Sequence, residues 1–428
     1  MSARIAPSPS ARSLLLWLAL HAAPVLAQNQ VWVVDDQAGP GVDFTSIQAA
    51  VDASADRDTV LVKDGSFAET VFITNRGLTL IADLGANVVI QGGLRIYGTQ
   101  ASQPILLRGL RVPGTSIANP YGLVVHLAAG AVWVEDCVLH GSASLGGPGL
   151  GAAVSDSAGV TFVRCELRGG SGLGKGNPPP GGSGLSSNGP VHVFDSDVRG
   201  GDVPAFTGVF FFGTTSSGGA GVQLNGGALF ASGTVIVGGT GSSGYAHPLF
   251  GCIGGGPGGA GIAGVGPGTS AVLVGTAPQG GSGGPAFGAC AQGLAGAPTW
   301  LVGGGVTALF GSAHSAQFTA PIREGQAIAG TLHGAPGEFA VLAIAPTLHS
   351  GTLLLQLSGV ALLGGPISVL GMGQVPASGV IAVTGTAAPL TGGNEGATIA
   401  TQPAFIDPLA LTAALGAPAS LTLLKAGL

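Results

Sequence analysis

Charged side chains suited to acid–base chemistry recur at regular intervals in the middle of the sequence. Glu166 and Asp197 occupy equivalent places in two successive repeats, and Arg168 and Arg199 each follow two residues later. Two neighbouring carboxylates can cleave a glycosidic bond, hold a cation or raise each other's pKa, and an arginine can bind a sugar acid. These four residues are therefore the candidate catalytic residues. If the protein is an enzyme, Ca²⁺ could bridge the two carboxylates.

A second group of polar residues in the same repeats forms the candidate ligand-binding set: Asp136, His140, Arg164 and Asp195. Asp136, Arg164 and Asp195 alternate in sign from one repeat to the next. The alternative to a binding site is a solvated ladder of ion pairs, which contributes little to stability. Because ion-pair networks with a purely structural role also perturb pKa values, the sequence favours this structural interpretation.

A long later segment contains no charge. From Val203 through Ile322 there is no Asp, Glu, Lys or Arg, so no acid–base pair can lie there. The net charge of the chain is −6 and its Lys and Arg residues form no cluster, which excludes a nucleic-acid partner. His126, His140 and His192 lack further ligands at metal spacing, so neither a metal nor another cofactor is predicted.

The elements that position these residues are the coils of an internal repeat. One position, which we call the anchor and which holds a small residue in five of six repeats, recurs at Leu110, Cys137, Cys165, Ser196, Thr234 and Thr276. Four residues after each anchor stands a glycine: Gly114, Gly141, Gly169, Gly200, Gly238 and Gly280. Short alternating strands flank the anchor, and a third strand, such as Gly122–His126, precedes them. Repeats of this length with strand alternation predict a parallel β-helix with three strands per coil.

A helix is predicted upstream of the repeat, over residues 43–52. Its apolar side chains fall on one face, with Asp43 or Thr45 as the N-cap, and they are Ile47, Ala50 and Val51. We expect this helix to cap the open end of the coils.

The segment Phe44–Asp52, followed by Asp58–Val62 and Gly65–Glu69, resembles the N-terminal part of right-handed parallel β-helix proteins of the pectin-lyase-like superfamily. The resemblance covers about residues 30–290 and implies that fold. It also implies an alternative function, that of a divergent polysaccharide lyase or glycoside hydrolase. The Gly-His-Gly and paired-Asp motifs of polygalacturonases are absent, and Phe67 stands where pectin methylesterases have Tyr, so we interpret Glu69 as structural.

The chain divides into three predicted regions. Residues 1–27, with Arg4 and Arg12 before an apolar run that ends at Ala27, are typical of a signal peptide. Residues 28–296 form the β-helix, and residues 297–428 are predicted to form a C-terminal β-sandwich-like domain. The uncharged segment Gly351–Val375 is interrupted by Gln, Pro and Gly, so we expect strands there and no transmembrane span in the mature chain.

Insertions follow the repeat glycines, so loops accumulate along one edge of the coils. Cys252 and Cys290 lie in two neighbouring loops, and a disulfide between them is predicted. Cys137 and Cys165 share one inward position on adjacent coils, where either buried thiols or a strained disulfide would fit.

These features together predict a secreted, non-catalytic protein, located outside the cell or in the cell envelope, that binds polysaccharide or serves as a cell-surface or structural component. Four polar residues near the end of the third strand form either turn hydrogen bonds or a sugar-contacting strip: Asp156, Ser187, Asn188 and Asn225.

Overall fold

The computed structural model describes residues 29–114, 120–143, 147, 149–172, 179–203, 215–247, 251–309, 311–391 and 393–428. The predicted signal peptide, residues 1–27, lies outside the described residues. The chain forms two compact units. One is Trp32–Ala313, and the other is His314–Leu428 together with the described residues up to Val31.

Three long parallel sheets build the first unit. The ten-stranded sheet contains, in order, Val31–Val34, Thr59–Val62, Thr79–Ala82, Ile105–Arg108, Val132–Glu135, Val160–Val163, Val191–Phe194, Ala228–Ser232, Ser270–Val274 and Gly305–Leu309. The eight-stranded sheet contains Val71–Thr74, Leu94–Tyr97, Leu123–His126, Ala152–Ser155, Leu185–Ser187, Val222–Asn225, Ile262–Val265 and Thr299–Val302. The seven-stranded sheet contains Gly65–Phe67, Val88–Ile90, Leu110–Val112, Val138–His140, Glu166–Arg168, Asp197–Arg199 and Val235–Val237.

Each complete coil contributes one strand to each sheet, and the coils at the ends contribute to fewer sheets, so equivalent side chains stack directly above one another. One inward column of the ten-stranded sheet, fully buried throughout, is Leu107, Val134, Phe162, Val193 and Ala231. Columns of this kind make a single hydrophobic core along the first unit. The predicted parallel β-helix with three strands per coil is confirmed.

The corner between the ten-stranded and seven-stranded sheets takes one residue per coil with positive φ: Gly109, Asp136, Arg164, Asp195, Gly233 and Gly275. The anchor follows directly, and at the five anchors other than Leu110 a hydroxyl or thiol bonds to the neighbouring coil. Ser196 Oγ accepts from Cys165 N at 2.9 Å, and Thr276 Oγ1 accepts from Thr234 N at 3.1 Å. The small polar anchor therefore satisfies a backbone N–H that the turn would leave without a partner.

Cys137 and Cys165 fill two places in this anchor column as free, buried thiols. Cys137 Sγ donates to Glu135 O at 3.2 Å, and Cys165 Sγ donates to Val134 O at 3.3 Å. Burial raises the pKa of Cys165 to about 12 and raises the pKa of Cys137 well above its usual value. Of the two alternatives left open by the sequence, the structure shows thiols that act as serine and threonine do on the neighbouring coils.

The loops that follow the repeat glycines pack into an ordered layer, which we call the glycine slab. Outgoing and returning arms of successive loops alternate in it, and each N–H donates to the preceding carbonyl, at 2.7–2.9 Å, along the series Gly149, Gly170, Gly182, Gly201, Gly219, Gly239, Gly259, Gly281 and Gly296. The Gly-Gly-x spacing of these arms resembles the three-residue period of extended helices in which only glycine fits the crowded position. A Cβ on Gly219 would lie 1.9 Å from Gly182 O, so the tight approach requires glycine.

A disulfide joins two of these loops. Cys252, on the hairpin formed by Tyr245–His247 and Gly251–Ile253, is bonded to Cys290, and their Cα atoms are 5.0 Å apart. The bond therefore links neighbouring arms at the edge of the glycine slab.

The capping helix spans Ile47–Ala53 and buries Ile47, Ala50 and Val51 as predicted. The predicted N-cap was wrong, because Ser46 occupies that position and its side chain accepts from Ala49 N. Glu69 completes the cap: its carboxylate accepts from Ile47 N at 2.7 Å and from Ser46 Oγ at 2.7 Å. This contact gives Glu69 of the Gly65–Glu69 motif a structural role, since a carboxylate stabilises a helix N-terminus.

Antiparallel strands make up the second unit. Its three-stranded sheet contains Ser315–Phe318, Ala327–His333 and Val380–Thr386. Its six-stranded sheet contains Ile322–Arg323, Ala419–Leu424, Gly396–Asp407, Phe339–Ala345 and Ser368–Gln374, with Thr412–Leu415 beside Gly396–Asp407. Thr347–Leu354 and Gly359–Gly364 form a separate pair joined by the 3-10 turn Leu355–Leu357. Phe318, Leu332 and Val383 share one core with Leu342, Phe405 and Leu421 of the larger sheet, as in a β-sandwich.

The boundary between the two units differs from the predicted one. The sequence placed it after residue 296, where the anchor pattern ends, but Thr299–Val302 and Gly305–Leu309 still pair in parallel with the coil before them. The compact units divide between Ala313 and His314. Among the described residues, no helix has the length and apolar character needed to cross a membrane.

Replacing a slab glycine tests the role of the close approach. We expect Gly219→Ala to lower the free energy of unfolding by about 2–3 kcal/mol, because the new Cβ would overlap a backbone carbonyl. Gly39→Ala is the matched control, since a Cβ there would meet nothing within 4 Å. Urea unfolding of both variants measures the difference, and equal midpoints would contradict the packing described here.

Candidate functional site

The structure brings the candidate catalytic residues together on the outward face of the seven-stranded sheet. Glu166 pairs with Asp197 in the parallel register, and Arg168 pairs with Arg199. His140 lies beside Arg168 on the preceding coil. The face therefore carries an acidic column next to a basic column.

Each carboxylate of the acidic column lies within hydrogen-bond distance of one or more neighbouring basic side chains. Arg168 Nε lies 2.7 Å from Glu166 Oε1, and His140 Nε2 lies 2.9 Å from the same oxygen. Arg199 Nε lies 2.7 Å from Asp197 Oδ1, and the hydrogen bond to Asp197 raises the pKa of Arg199. The carboxylate oxygens that an acid–base pair would use are therefore already occupied by contacts with basic side chains. This arrangement does not resemble a pair tuned for acid–base chemistry.

The corner residues form a buried charge network. Glu135 is 0% exposed and contacts Arg164 Nη2, while Arg108 Nη1 lies 3.5 Å from Glu135 Oε1. Asp136 binds both arginines, with Arg164 Nε at 2.8 Å and Arg108 Nη2 at 3.1 Å. Burial lowers the pKa of Arg164, but Glu135 and Asp136 outweigh burial and raise it above the usual value.

Of the expected ladder of Asp136, Arg164 and Asp195, the structure shows the ion pair between Asp136 and Arg164, but this pair is less solvated than expected. Arg164 and Asp136 belong to a largely buried network because Glu135, which the sequence did not single out, lies fully buried beside them. Removing one partner of such a network leaves a buried charge uncompensated, so we expect that change to destabilise the fold.

A shallow depression of about 420 Å³ lies over this corner. Its walls include Asp136, Arg164, Glu166, Asp195 and Asp197. The depression is open to solvent and combines charges of both signs.

The same residues do not have the surroundings of a metal site. In the parts of the chain that the structure describes, no group of three or more His, Cys, Asp or Glu side chains could hold a metal ion. Glu166 and Asp197 are also a poor fit for Ca²⁺, because a calcium site needs six to eight oxygen ligands and both carboxylates are already neutralised by arginines.

The outward face of the eight-stranded sheet is a site that the sequence indicated only at the strand ends. We call its residues the polar face: Tyr97, His126, Ser155, Asp156, Ser186, Asn188, Gln223 and Asn225. None of the eight strands contains Asp or Glu. The third strand of each coil follows a glycine, namely Gly122, Gly151, Gly184 or Gly221. Aligning the sequence on these glycines would have revealed the outward polar residues.

Hydrogen bonds connect the polar face across successive coils. His126 Nδ1 lies 2.8 Å from Ser155 Oγ, and the Tyr97 ring stands edge-on to His126 with centroids 6.1 Å apart. Asn188 Nδ2 donates to Asp156 Oδ1 at 3.2 Å, and Asn188 Oδ1 accepts from Asp156 N at 2.8 Å.

The same pattern continues on the later coils of the polar face. Gln223 Nε2 donates to Asn225 Oδ1 at 3.3 Å, and Asn225 Nδ2 donates to Ser186 Oγ at 3.4 Å. Ser187, in contrast, is buried and bonds to Gly189, so it belongs to the turn. The result is a row of amides, hydroxyls and aromatic edges on rigid strands.

Comparisons with known proteins add little to this picture. No protein-family model matches the sequence, and no curated protein matches it. Among solved structures, the chain is similar to a crystal structure of Escherichia coli YbhC, with 13% identity and a TM-score of 0.33. The match covers 72% of this chain and 88% of that chain. A similarity at this level supports no inference about activity.

One histidine of the β-helix is buried rather than part of a site. His192 is 6% exposed, its Nδ1 lies 3.3 Å from Thr161 Oγ1, and burial lowers its pKa to about 4. Its environment therefore favours the neutral ring.

This burial predicts a specific pH dependence of stability. Because the folded-state pKa is depressed below 6.5, the contribution of His192 is complete above that pH and is lost as the pH falls toward 4. We expect a loss of about 3 kcal/mol from this residue over the window. Urea unfolding between these pH values should show a weaker dependence in His192→Gln, whereas the exposed-histidine control His349→Gln should keep the wild-type slope.

Proposed function

We propose that this protein is a secreted, non-catalytic β-helix that binds polysaccharide on the polar face. The observation that carries the proposal is the row of amide, hydroxyl and aromatic groups from Tyr97 to Asn225 along five neighbouring strands, with the carboxylate of Asp156 at the end of one strand. An amide both donates and accepts hydrogen bonds, as sugar hydroxyls do, so such a row can follow a glycan chain.

The dimensions of the polar face suit an extended ligand. Neighbouring strands lie about 4.8 Å apart, so the five strands from Tyr97 to Asn225 span roughly 19 Å. Side chains on strands are held more rigidly than side chains on loops, which favours binding without prior ordering. The signal-like N-terminus and the Cys252–Cys290 bond are both typical of an extracellular protein.

The protein is proposed to be non-catalytic because the carboxylates on the outward face of the seven-stranded sheet are held in ion pairs. Glycoside hydrolysis needs one protonated carboxyl and one free carboxylate. Glu166 and Asp197 are the only acidic pair on the seven strands, and each is bonded to the arginine two residues away.

Binding can be tested with a glycan array and then by calorimetry with the best glycan. We expect His126→Ala and Asn225→Ala each to weaken binding at least tenfold, because each removes hydrogen-bonding groups from the polar face. Arg199→Gln, on the seven-stranded sheet, is the control and should leave the affinity unchanged. Binding that depends on Arg199 and not on Asn225 would place the ligand elsewhere.

The main alternative is a divergent polysaccharide lyase or glycoside hydrolase. The depression lined by Glu166 and Asp197 favours it. In that case Asp197→Ala should abolish cleavage while the circular dichroism spectrum is retained. Under our proposal neither wild type nor variant cleaves any polysaccharide, with or without added Ca²⁺, and reproducible cleavage would refute it.

A purely structural component of the cell surface is the remaining alternative. It differs from the proposed function in one measurable respect, because it predicts no saturable binding to any glycan on the array.

A further inference from the structure

An ionised carboxylate lies on the polar face. Asp156 directly follows the strand Ala152–Ser155, its backbone is left-handed with a φ of 51°, and its side chain is 53% exposed. Asn188 of the next coil fixes it, because Asn188 Nδ2 donates to Asp156 Oδ1 at 3.2 Å and Asn188 Oδ1 accepts from Asp156 N at 2.8 Å. The carboxylate is therefore held at a defined place beside the row of amides and hydroxyls.

Within the described residues, the polar face offers no exposed Arg or Lys to balance this carboxylate. On the strands from Val71–Thr74 to Val222–Asn225, the outward side chains include a single residue of these two types, Arg95. Arg95 is 5% exposed, and its Nη1 donates to Leu94 O at 2.8 Å and to Tyr121 O at 3.0 Å. Its guanidinium binds backbone carbonyls and is not accessible to a ligand that lies on the face.

His126 and Tyr97 are the remaining titratable side chains of the polar face. His126 Nδ1 lies 3.6 Å from Asp156 Oδ2. An imidazole and a phenol are ordinarily uncharged at pH 8. At that pH, the charge that a ligand meets on the polar face is therefore the carboxylate of Asp156.

This carboxylate treats neutral and acidic sugars differently. An ionised carboxylate accepts hydrogen bonds and cannot donate them, so it binds the hydroxyls that every sugar carries. Such charge-assisted bonds are stronger than those between neutral groups. A uronic acid brings a second carboxylate to the same place, where the two like charges repel.

We propose that the polar face selects neutral glycans over acidic ones, and that Asp156 determines this selectivity. The inference rests on the proposed function, because it assigns a ligand class to the same site. The outward face of the seven-stranded sheet differs in this respect, since the side chains of Arg168 and Arg199 are 49% and 44% exposed there.

A glycan array that carries oligosaccharides of glucose, galactose and mannose, and those of the corresponding uronic acids, tests the proposal when it is titrated at pH 8 and low ionic strength. We expect the wild-type protein to bind the neutral member of a pair about fivefold more tightly, because like charges in contact repel even in water. High salt should reduce this preference, since it screens exposed charges. In Asp156→Asn the preference should fall below about twofold, because the acidic member is no longer repelled.

Asp156→Asn changes the charge with little change in structure. Asparagine keeps an acceptor oxygen for Asn188 Nδ2 and, like aspartate, adopts the left-handed conformation. Asp64→Asn is the matched control, because Asp64 is exposed, its Oδ1 accepts from Asn87 N at 2.8 Å, and it precedes the strand Gly65–Phe67 of the seven-stranded sheet. This control removes the same charge and should keep the wild-type preference. Thermal unfolding of both variants establishes that the fold is retained.

The possible results separate this inference from the proposed function. Binding to no glycan on the array refutes the proposed function and the inference with it. Binding that does not favour the neutral member of a pair overturns the inference alone, and glycan binding still stands. A neutral preference that Asp156→Asn leaves unchanged, or that Asp64→Asn removes equally, also overturns it, because Asp156 would then not be the determinant.

Discussion

The hydrogen bonding of the backbone along the coil axis is the constraint on which the rest of this structure depends. Every strand must offer its N–H and C=O groups to the coils on either side, and this holds only if equivalent residues remain in register. The regular pairing is interrupted at the corner, because the corner residue has a left-handed backbone conformation. Serine, threonine or a cysteine thiol restores it by bonding to the neighbouring coil, as at Ser196 and Thr276. Packing of the apolar columns then follows from register.

The glycine slab extends this same principle beyond the sheets. Loops usually lie on the surface with their backbone groups bonded to water, but here successive arms bond to each other. Glycine loses more conformational entropy on folding than any other residue. The close approach that it permits, as between Gly219 and Gly182, supplies the hydrogen bonds that offset this loss.

Spacing alone was enough to predict the parts of the structure that repeat. The positions of the anchors and of the repeat glycines predicted the coils, the register of Glu166 with Asp197, and the stacking of Cys137 on Cys165. Contacts between distant parts of the chain could not be predicted in this way. The helix cap depends on Glu69, which lies more than 20 residues from Ser46 in sequence. The buried network depends on Glu135, whose burial on a strand face has no local signal. The last coil was missed because it lacks an anchor.

The charge-free segment determines where some proteases can cut the chain. Proteases that cut after lysine or arginine find no site between Val203 and Ile322, although this stretch contains several of the longest loops. Exposed loop tips are the usual points of proteolytic nicking. Enzymes of trypsin-like specificity must therefore attack this chain elsewhere, and the glycine-rich half of the solenoid is resistant to them by composition.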